Sequence, residues 1–423
     1  MNEIEAVGAE ATLDPNVDGS QSEGDRPWLY SLLIAPSAVV ANGVIQGGVL
    51  SYLLSVQGIG SGRQSHLIFF LALPTSLYFL WSPITDFFVR RRTWLLLGGL
   101  FAAAFMAVAF HQKNLSSKTS LALMLISACC SQLVVSSCGG MLGSMRSERS
   151  RRFGSSFYQA GGMGFGALAA WVLVWMSSRA SANALGLTAA ALIGFPALFA
   201  LVAPKQDEIA IGSFGATMHR VWQECKATFF RWEAVPYTCC MIFPMGSGAA
   251  IGLLSGSARQ YGVSGDNVAW MNGLLGGLLM AGGSAAATLL PTRVRAPIMY
   301  MLVALVNCAA LMVLWLGPLQ PGTYYLGVTL YLFTVGTCYA MFTAVVLEFL
   351  GHSGKSGSGR YSIINSLGNV PVQYMILVDG WGGDRWGGRG IAGAEAVVGG
   401  IGATLLLIYF LARSNSLVRT ETV

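Results

Sequence analysis

The chain reads LYFLWSPITD at residues 77–86 and RRRTW at residues 90–94, and this junction decides the fold. An apolar run ends in one acid, three arginines follow, and a second apolar run opens on a tryptophan. Because arginines resist translocation and tryptophan favours the interface, the pattern is typical of a tight cytoplasmic turn between two membrane-spanning helices. We expect Asp86 to be held there by a helix N-terminus or an arginine. A solvated loop acid is the alternative.

The composition is that of a polytopic membrane protein. Of the 423 residues, 54% are hydrophobic and only 10% are charged, against about 25% charged residues in an ordinary soluble domain. Mean hydropathy is +0.59 and the pI is near 8.9. The basic residues collect in the turns between apolar runs, so the high pI does not indicate a nucleic-acid partner.

The eight cysteines and four histidines are scattered along the chain without metal-ligand spacing. Most of the cysteines lie in apolar runs, where a small buried thiol usually serves packing. We therefore expect neither a metal site nor a cofactor.

Apolar runs long enough to cross a bilayer recur in two sets of six. They lie near residues 30–55, 65–87, 94–111, 119–143, 154–177 and 183–203, and then near residues 235–257, 267–290, 297–317, 323–350, 361–379 and 391–412. The sequence predicts an all-α membrane protein with 12 transmembrane helices in two pseudo-symmetric six-helix bundles.

The distribution of basic residues predicts the orientation of the chain. With the N-terminus inside, the cytoplasmic segments hold 18 of the 25 lysines and arginines, which places both termini in the cytoplasm. We expect the protein to lie in the inner (plasma) membrane. The predicted units are a disordered acidic tail at 1–27, the first half at 28–203, a cytoplasmic linker at 204–233, the second half at 234–412 and a tail at 413–423.

The two halves share similar junctions. RFGS at residues 152–155 opens the fifth predicted span and RYSI at residues 360–363 opens the eleventh, each after a basic turn. Six plus six spans with matching junctions favour a parallel repeat about an axis along the membrane normal.

Amides and phenols are the polar groups that can indicate a binding site, because the predicted spans hold almost no ionisable residue. Asn42 and Gln46 lie one turn apart, and Asn365, Asn369 and Gln373 form a stripe on the eleventh span. One interpretation is that such groups hold helices together, at about 0.6–2 kcal/mol each. The other is a substrate cavity lined by Asn42, Gln46, Gln132, Tyr158, Gln159, Asn272, Tyr339, Asn365, Asn369 and Gln373.

Charged residues cluster where the predicted cavity would meet the cytoplasm. The candidate cytoplasmic gate consists of Asp86, Arg91, Arg149, Arg152, Glu348 and Arg360. Glu348 follows an uncharged run, and it either pairs with Arg360 or Arg152 or titrates as a proton site. The coupling ion stays open at this point.

Two segments resemble a known family. The segment at residues 73–94 and the segment RYSIINSLGNVP at residues 360–371 resemble the peptide/acetyl-coenzyme A transporter family of the major facilitator superfamily, and within it the AmpG-like muropeptide permeases. We expect the two bundles to rock about a central cavity, with Asp86 closing the inward mouth against the start of the eleventh span near Arg360 and Tyr361. The resemblance implies import of a sugar- or peptide-bearing metabolite with protons.

The expected partners are a small-molecule substrate, protons and the lipid bilayer, with no nucleic acid, and we expect a monomer. The alternative function is a non-transporting membrane sensor or an integral-membrane acyltransferase. An acyltransferase needs a His/Asp or Cys/His constellation at an interface, and His66, His111 and His352 have none nearby in sequence. A sensor needs a soluble output domain, for which no segment is long enough.

Overall fold

The computed structural model describes residues 26–81, 84–86, 88–112, 114–143, 148–203, 214–291, 293–351 and 358–420. Within these residues the chain forms helices and connecting turns, with no β-strand. Such a fold satisfies backbone polar groups inside each segment, as an apolar surrounding requires.

The first half contains eight α-helices within its described residues. They are α1 Leu29–Ala38, α2 Val49–Val56, α3 Ser61–Ser76, α4 Tyr78–Trp81, α5 Arg91–His111, α6 Lys118–Gly143, α7 Glu148–Ser177 and α8 Ala182–Ala197. A π-helical segment, Val39–Ile45, continues α1. Gly48 then takes a φ of +98° and lies against Ser255 of the second half. A residue with a side chain rarely adopts this backbone conformation, so glycine at this position allows the chain to change direction before α2.

The second half, with the helix before it, is more interrupted. Its described helices are α9 Phe214–Phe229, α10 Val235–Ile242, α11 Ala250–Ser257, α12 Gly265–Val268, α13 Gly276–Ala286, α14 Ala296–Leu316, α15 Pro321–Gly351 and α16 Ser358–Thr420. Residues 243–249 are irregular and divide the predicted seventh span into α10 and α11. A π-helical segment, Ala269–Leu275, joins α12 to α13.

Helix α16 reverses direction at Gly387, where φ is +64° and ψ is −150°. A Cβ placed on Gly383 would lie 2.9 Å from Ile391 Cγ1, and one placed on Gly382 would lie 3.0 Å from Ala394 Cβ. Residues eight apart in a straight helix are separated by about 12 Å. The chain therefore folds back on itself at Gly387, and glycines let the two arms approach closely. The residues between the predicted eleventh and twelfth spans thus form a sharp break within a helix.

Eight helices or merged helices of the described chain are long and apolar enough to cross a membrane. One of them, Ser366–Arg413, covers 48 residues and contains two of the predicted spans. The predicted spans at 65–87, 235–257 and 267–290 are each broken into shorter helices. The number of twelve spans and the location of the termini stay predictions.

The two halves share one apolar core. It contains Val44 and Leu173 from the first half, and Leu253, Tyr331 and Met375 from the second, each at most 1% exposed. Burial of these side chains holds the described parts of the halves together, and the polar contacts between the halves lie around this core.

Candidate functional site

The contact between α2 and α11 is a close approach of two backbones. A Cβ on Gly252 would lie 2.8 Å from the carbonyl oxygen of Gln46, just before α2, and one on Gly256 would lie 3.2 Å from the carbonyl oxygen of Ser51 within α2. Only glycine fits at such distances, and small residues at four-residue spacing are the usual means of tight helix crossing in membranes. Helix α11 of the second half is thereby fitted against the first half.

The contact between α3 and α16 adds hydrogen bonds between the halves. Gln373 Nε2 donates to the carbonyl oxygen of Ala72 at 2.9 Å. Further along the same pair of helices, the backbone N–H of Gly62 donates to Asp384 Oδ1 at 2.7 Å. Gly62 lies in the first turn of α3, so the Asp384 carboxylate meets the positive end of a helix dipole.

The third contact joins α7 to the segment from α12 to α13. A Cβ on Gly273 would lie 2.6 Å from the backbone nitrogen of Trp171. At the end of the same helix pair, Arg179 Nη1 and Nη2 donate to Asp266 Oδ1 and Oδ2 at 2.5 and 2.6 Å. The hydrogen bond from Arg179 lowers the pKa of Asp266 below its ordinary value of 3.8. Both side chains are exposed, so this ion pair matches opposite charges across the contact and adds little to stability.

The Arg179–Asp266 and Gly62–Asp384 contacts both lie at the end of the bundle that the sequence predicts to be outside. They come from two different pairs of helices. The described structure therefore closes the two halves against each other at this end.

Three amides at or beside the interface each keep one buried polar atom without a hydrogen-bond partner among the described residues: Gln46 Nε2, Asn272 Oδ1 and Gln373 Oε1. The other end of the Asn272 amide is well occupied, because its Nδ2 donates to Ser255 Oγ at 2.7 Å and to Tyr324 Oη at 2.8 Å. Buried polar atoms in folded proteins are nearly always paired. These three atoms are free to bind water or a solute.

The remaining predicted cavity residues are distributed more widely. Asn42 is exposed and donates to the carbonyl oxygen of Gly162 at 3.2 Å, and Gln159 is exposed on the same helix as Gly162. Gln132 is buried and donates to Thr75 Oγ1 at 3.2 Å. The structure thus brings Gln132 and Gln373 to the same helix, α3, while Asn42 lies against α7.

Four more predicted cavity residues lie elsewhere or are only partly described. Tyr158 is half-buried and packs against an apolar cluster in the first half. Tyr339 donates to the carbonyl oxygen of Ser247 at 2.9 Å, within the irregular segment of the second half. Asn369 is half-buried, and the side chain of Asn365 lies outside the described part. The cavity as a single site stays a prediction.

Most of the predicted cytoplasmic gate lies outside what the structure describes. The backbone of Asp86 ends a short 3₁₀ turn, Ile84–Asp86. The side chains of Asp86, Arg149, Arg152 and Arg360 are not part of the described set. The guanidinium of Arg91 lies against Gly140 of α6. The proposed lock between Asp86 and the eleventh span is therefore untested.

Among the described residues, Glu348 has partners within its own half. Its Oε1 accepts hydrogen bonds from Tyr237 Oη at 2.8 Å and from Arg295 Nη2 at 3.1 Å, and its Oε2 accepts from the backbone N–H of Ala296 at 3.1 Å. Ala296 is the first residue of α14, so this carboxylate caps a helix N-terminus. The arrangement is the one that the sequence predicts for Asp86 in the first half. Arg295 and Tyr237 are partners that the sequence did not single out.

Two buried acids were missed by the sequence-based expectation of nearly uncharged spans. Asp379 is 0% and Glu395 is 1% exposed. Glu395 accepts hydrogen bonds from Ser247 Oγ at 2.8 Å, Ala250 N at 2.9 Å and Tyr331 Oη at 2.8 Å. Both acids fall at or near the ends of predicted spans, where an acid is easily assigned to a loop. Their equal spacing of eight residues on either side of Gly387 was the available signal.

The described residues contain no group of three or more histidine, cysteine, aspartate or glutamate side chains that could hold a metal ion. The described interface between the halves offers hydrogen bonding by amides and hydroxyls, and the second half holds the two buried carboxyls.

Comparison with known proteins gives the family. The model of the Major Facilitator Superfamily matches residues 32–372, which is most of the chain. The chain belongs to the Major Facilitator Superfamily. It is thus a multi-pass membrane protein and a secondary transporter, not an enzyme, which excludes the acyltransferase alternative.

Solved structures share the fold at low sequence identity. A mutant of the nucleoside transporter NupG has a TM-score of 0.66 and 12% identity, covering 92% of this chain and 99% of its own. The D-xylose-proton symporter has a TM-score of 0.65 and 13% identity, covering 90% of this chain and 95% of its own. No curated protein matches the chain significantly. The finer resemblance to peptide/acetyl-coenzyme A transporters stays a prediction.

Proposed function

We propose that this superfamily member imports a small polar or amphipathic solute across the inner membrane together with protons. Twelve spans with both termini in the cytoplasm would form two bundles, which rock about a central binding site to expose it to one side and then to the other. The described structure corresponds to a state closed at the predicted outer end.

The observation that carries the proposal is the character of the interface between the halves. It combines close glycine contacts with amides whose buried polar atoms are unpaired, namely Gln46, Asn272 and Gln373. An interface that never opened would gain free energy from pairing these atoms or from replacing them with apolar groups. Unpaired amides are expected instead where a solute binds in one state and leaves in another.

The solute class follows from the same groups. Amide and hydroxyl groups recognise hydroxyls, amides and carbonyls, which sugars and peptides carry. The resemblance to muropeptide permeases favours a solute that combines both. The nucleoside transporter and the proton symporter of D-xylose share only the fold with this chain. This analogy favours a polar solute without selecting a particular one.

Uptake into proteoliposomes tests the proposal. Purified protein would be reconstituted with and without an inward proton gradient and offered muropeptides, acetyl-coenzyme A, sugars and amino acids in turn. We expect one class to accumulate against its concentration gradient only when the proton gradient is present. Failure to transport any of the four classes would contradict the proposed solute, and accumulation independent of the gradient would contradict proton coupling.

The cytoplasmic lock is tested by Asp86→Asn. A carboxylate at a helix end interacts with helix dipoles and arginines through its charge, which asparagine lacks. We expect the variant to fold and to reach the membrane like the wild type, and to lose uptake. Uptake at the wild-type rate would remove Asp86 from the mechanism while leaving the rest of the proposal intact.

A further inference from the structure

Asp379 and Glu395 lie on the two facing arms of the α16 hairpin. Each lies eight residues from Gly387, which is about 12 Å along its arm. The contact of Gly383 with Ile391, four residues on either side of Gly387, places the two arms side by side, and each acid lies one helical turn further along its arm on the same helix face. The two carboxyls are close enough to interact electrostatically. They form a pair of buried acids well away from the end of the hairpin.

Among the described residues, hydrogen-bond donors surround only one member of this carboxyl pair. Glu395 accepts from Ser247, Ala250 and Tyr331, whereas both oxygens of Asp379 are buried without a partner in the described part of the chain. The other titratable groups that face Glu395 are Tyr331, Tyr339, Cys308 and Cys338, on α14 and α15. Among the described residues, no lysine or arginine forms an ion pair with either acid.

Two adjacent carboxylates without a cation cannot both be charged in a dry interior. An isolated buried charge is costly, and two acids that share a site keep one proton between them. Glu395, with three donors, is the better site for the negative charge. Asp379, with none, is the better site for the proton.

We propose that Asp379 and Glu395 form the proton-binding site that drives this transporter, an inference that rests on the proposed function. A proton from water adds to the Glu395 carboxylate to give the neutral acid while Asp379 keeps its own proton. The charge of the pair then changes from −1 to zero. This change provides the coupling step that sequence reasoning left open.

The position of Glu395 connects proton binding to movement. Its carboxylate oxygens accept hydrogen bonds from Ser247 and from the first backbone N–H of α11, at the irregular segment that divides the seventh predicted span. Helix α11 is also the helix whose Gly252 and Gly256 contact the first half. Protonation removes the charge that holds the N-terminus of α11, since a helix N-terminus favours an anion. The helix is then free to shift, and its contact with the first half changes with it.

Infrared difference spectroscopy of the purified full-length protein tests the site directly. At neutral pH we expect the C=O stretch of a protonated carboxyl that shifts in D₂O, that is lost in Asp379→Asn and that persists at a changed frequency in Glu395→Gln. On acidification a second such band should grow in the wild type and be missing in Glu395→Gln. The control Asp384→Asn removes an exposed acid from the same helix and should leave both bands unchanged. Absence of the neutral-pH band from the wild type, or its survival in Asp379→Asn, would overturn the proposal.

The transport measurement separates this proposal from the proposed function. For the solute that the wild type accumulates, we expect Glu395→Gln to lose gradient-driven accumulation and to retain solute exchange, which needs no net proton movement. Full accumulation by this variant would overturn the proton site, although the protein would still be a proton-coupled transporter. A wild type that transports none of the offered solutes, with the infrared bands as expected, would contradict the proposed solute and leave the proton site standing. Equal monodispersity of variants and wild type in detergent verifies folding.

Discussion

At the residue scale, Glu348 shows how one acid organises the end of a bundle. It binds a tyrosine, an arginine and the first N–H of α14 at the same time. Its side chain is 22% exposed, so it is largely shielded from solvent but keeps some contact with it. These contacts join three parts of the second half, the start of α10, the start of α14 and the end of α15. Glu348 is therefore better explained as a structural clamp than as a proton site.

Removal of this clamp should be measurable as stability. We expect Glu348→Ala to lower the free energy of unfolding by about 1–3 kcal/mol, because it leaves a tyrosine hydroxyl, a guanidinium and a backbone N–H without their acceptor. Glu348→Gln keeps one acceptor oxygen and should lose less. Denaturant unfolding in mixed micelles, followed by tryptophan fluorescence, gives both values. Equal stability of the alanine variant and the wild type would show that the clamp contributes nothing.

At the scale of the helices, breaks matter as much as lengths. The first, seventh and eighth predicted spans each contain an irregular or π-helical segment, and these are the spans that meet across the interface or beside it. A broken helix exposes backbone groups that a solute or a side chain can use. The hydrogen bonds that Ser247 Oγ and the backbone N–H of Ala250 donate to Glu395, at the break in the seventh span, are an example.

Gly48 and Gly58 separate the effect of backbone strain from that of close contact. Both have positive φ, +98° and +78°, so Gly58→Ala should cost about 1–2 kcal/mol from strain alone. A Cβ on Gly58 meets nothing within 4 Å, whereas one on Gly48 would overlap Ser255. We expect Gly48→Ala to be clearly more destabilising and to reduce uptake, in the same unfolding and uptake assays. Equal effects of the two substitutions would mean that the α2–α11 contact is loose.

Hydropathy predicted the apolar segments well, because burial in a membrane averages over about twenty residues. It could not predict the breaks, which depend on single glycines and on partners far away in sequence. The sequence-based prediction missed the two buried acids for a similar reason. Asp379 closes one predicted span and Glu395 lies near the start of another, so neither interrupts an apolar run enough to be noticed. Only the reversal at Gly387 shows that they face each other.

The site was predicted less completely than the fold. A four-residue spacing predicts that Gln373 shares a helix face with Asn369, since helix periodicity fixes which residues share a face, and in the structure Gln373 contacts the first half. The partner of that face, the carbonyl of Ala72, depends on how two distant helices cross. The same limit applies to Glu348, whose arginine lies 53 residues away.

At the scale of the whole molecule, the account depends on separation of the halves at the end where they now touch. Gly62 and Asp384 provide a position to test this. A Cβ on Gly62 would lie 2.8 Å from Asp384 Cγ, so the Cβ atoms of cysteines at both positions would be at most one carbon–carbon bond further apart, which is close enough for the roughly 3.5–4.5 Å that a disulfide needs. The bond would tie α3 to α16 across the interface.

The most direct measurement is therefore uptake by the double variant Gly62→Cys/Asp384→Cys in proteoliposomes, before and after oxidation. The wild type under the same oxidation is the control for its own cysteines. The account predicts that the reduced variant transports, that oxidation abolishes uptake, and that reduction restores it. Uptake by the oxidised, cross-linked protein at the rate of the reduced protein would contradict alternating access by separation of the two halves.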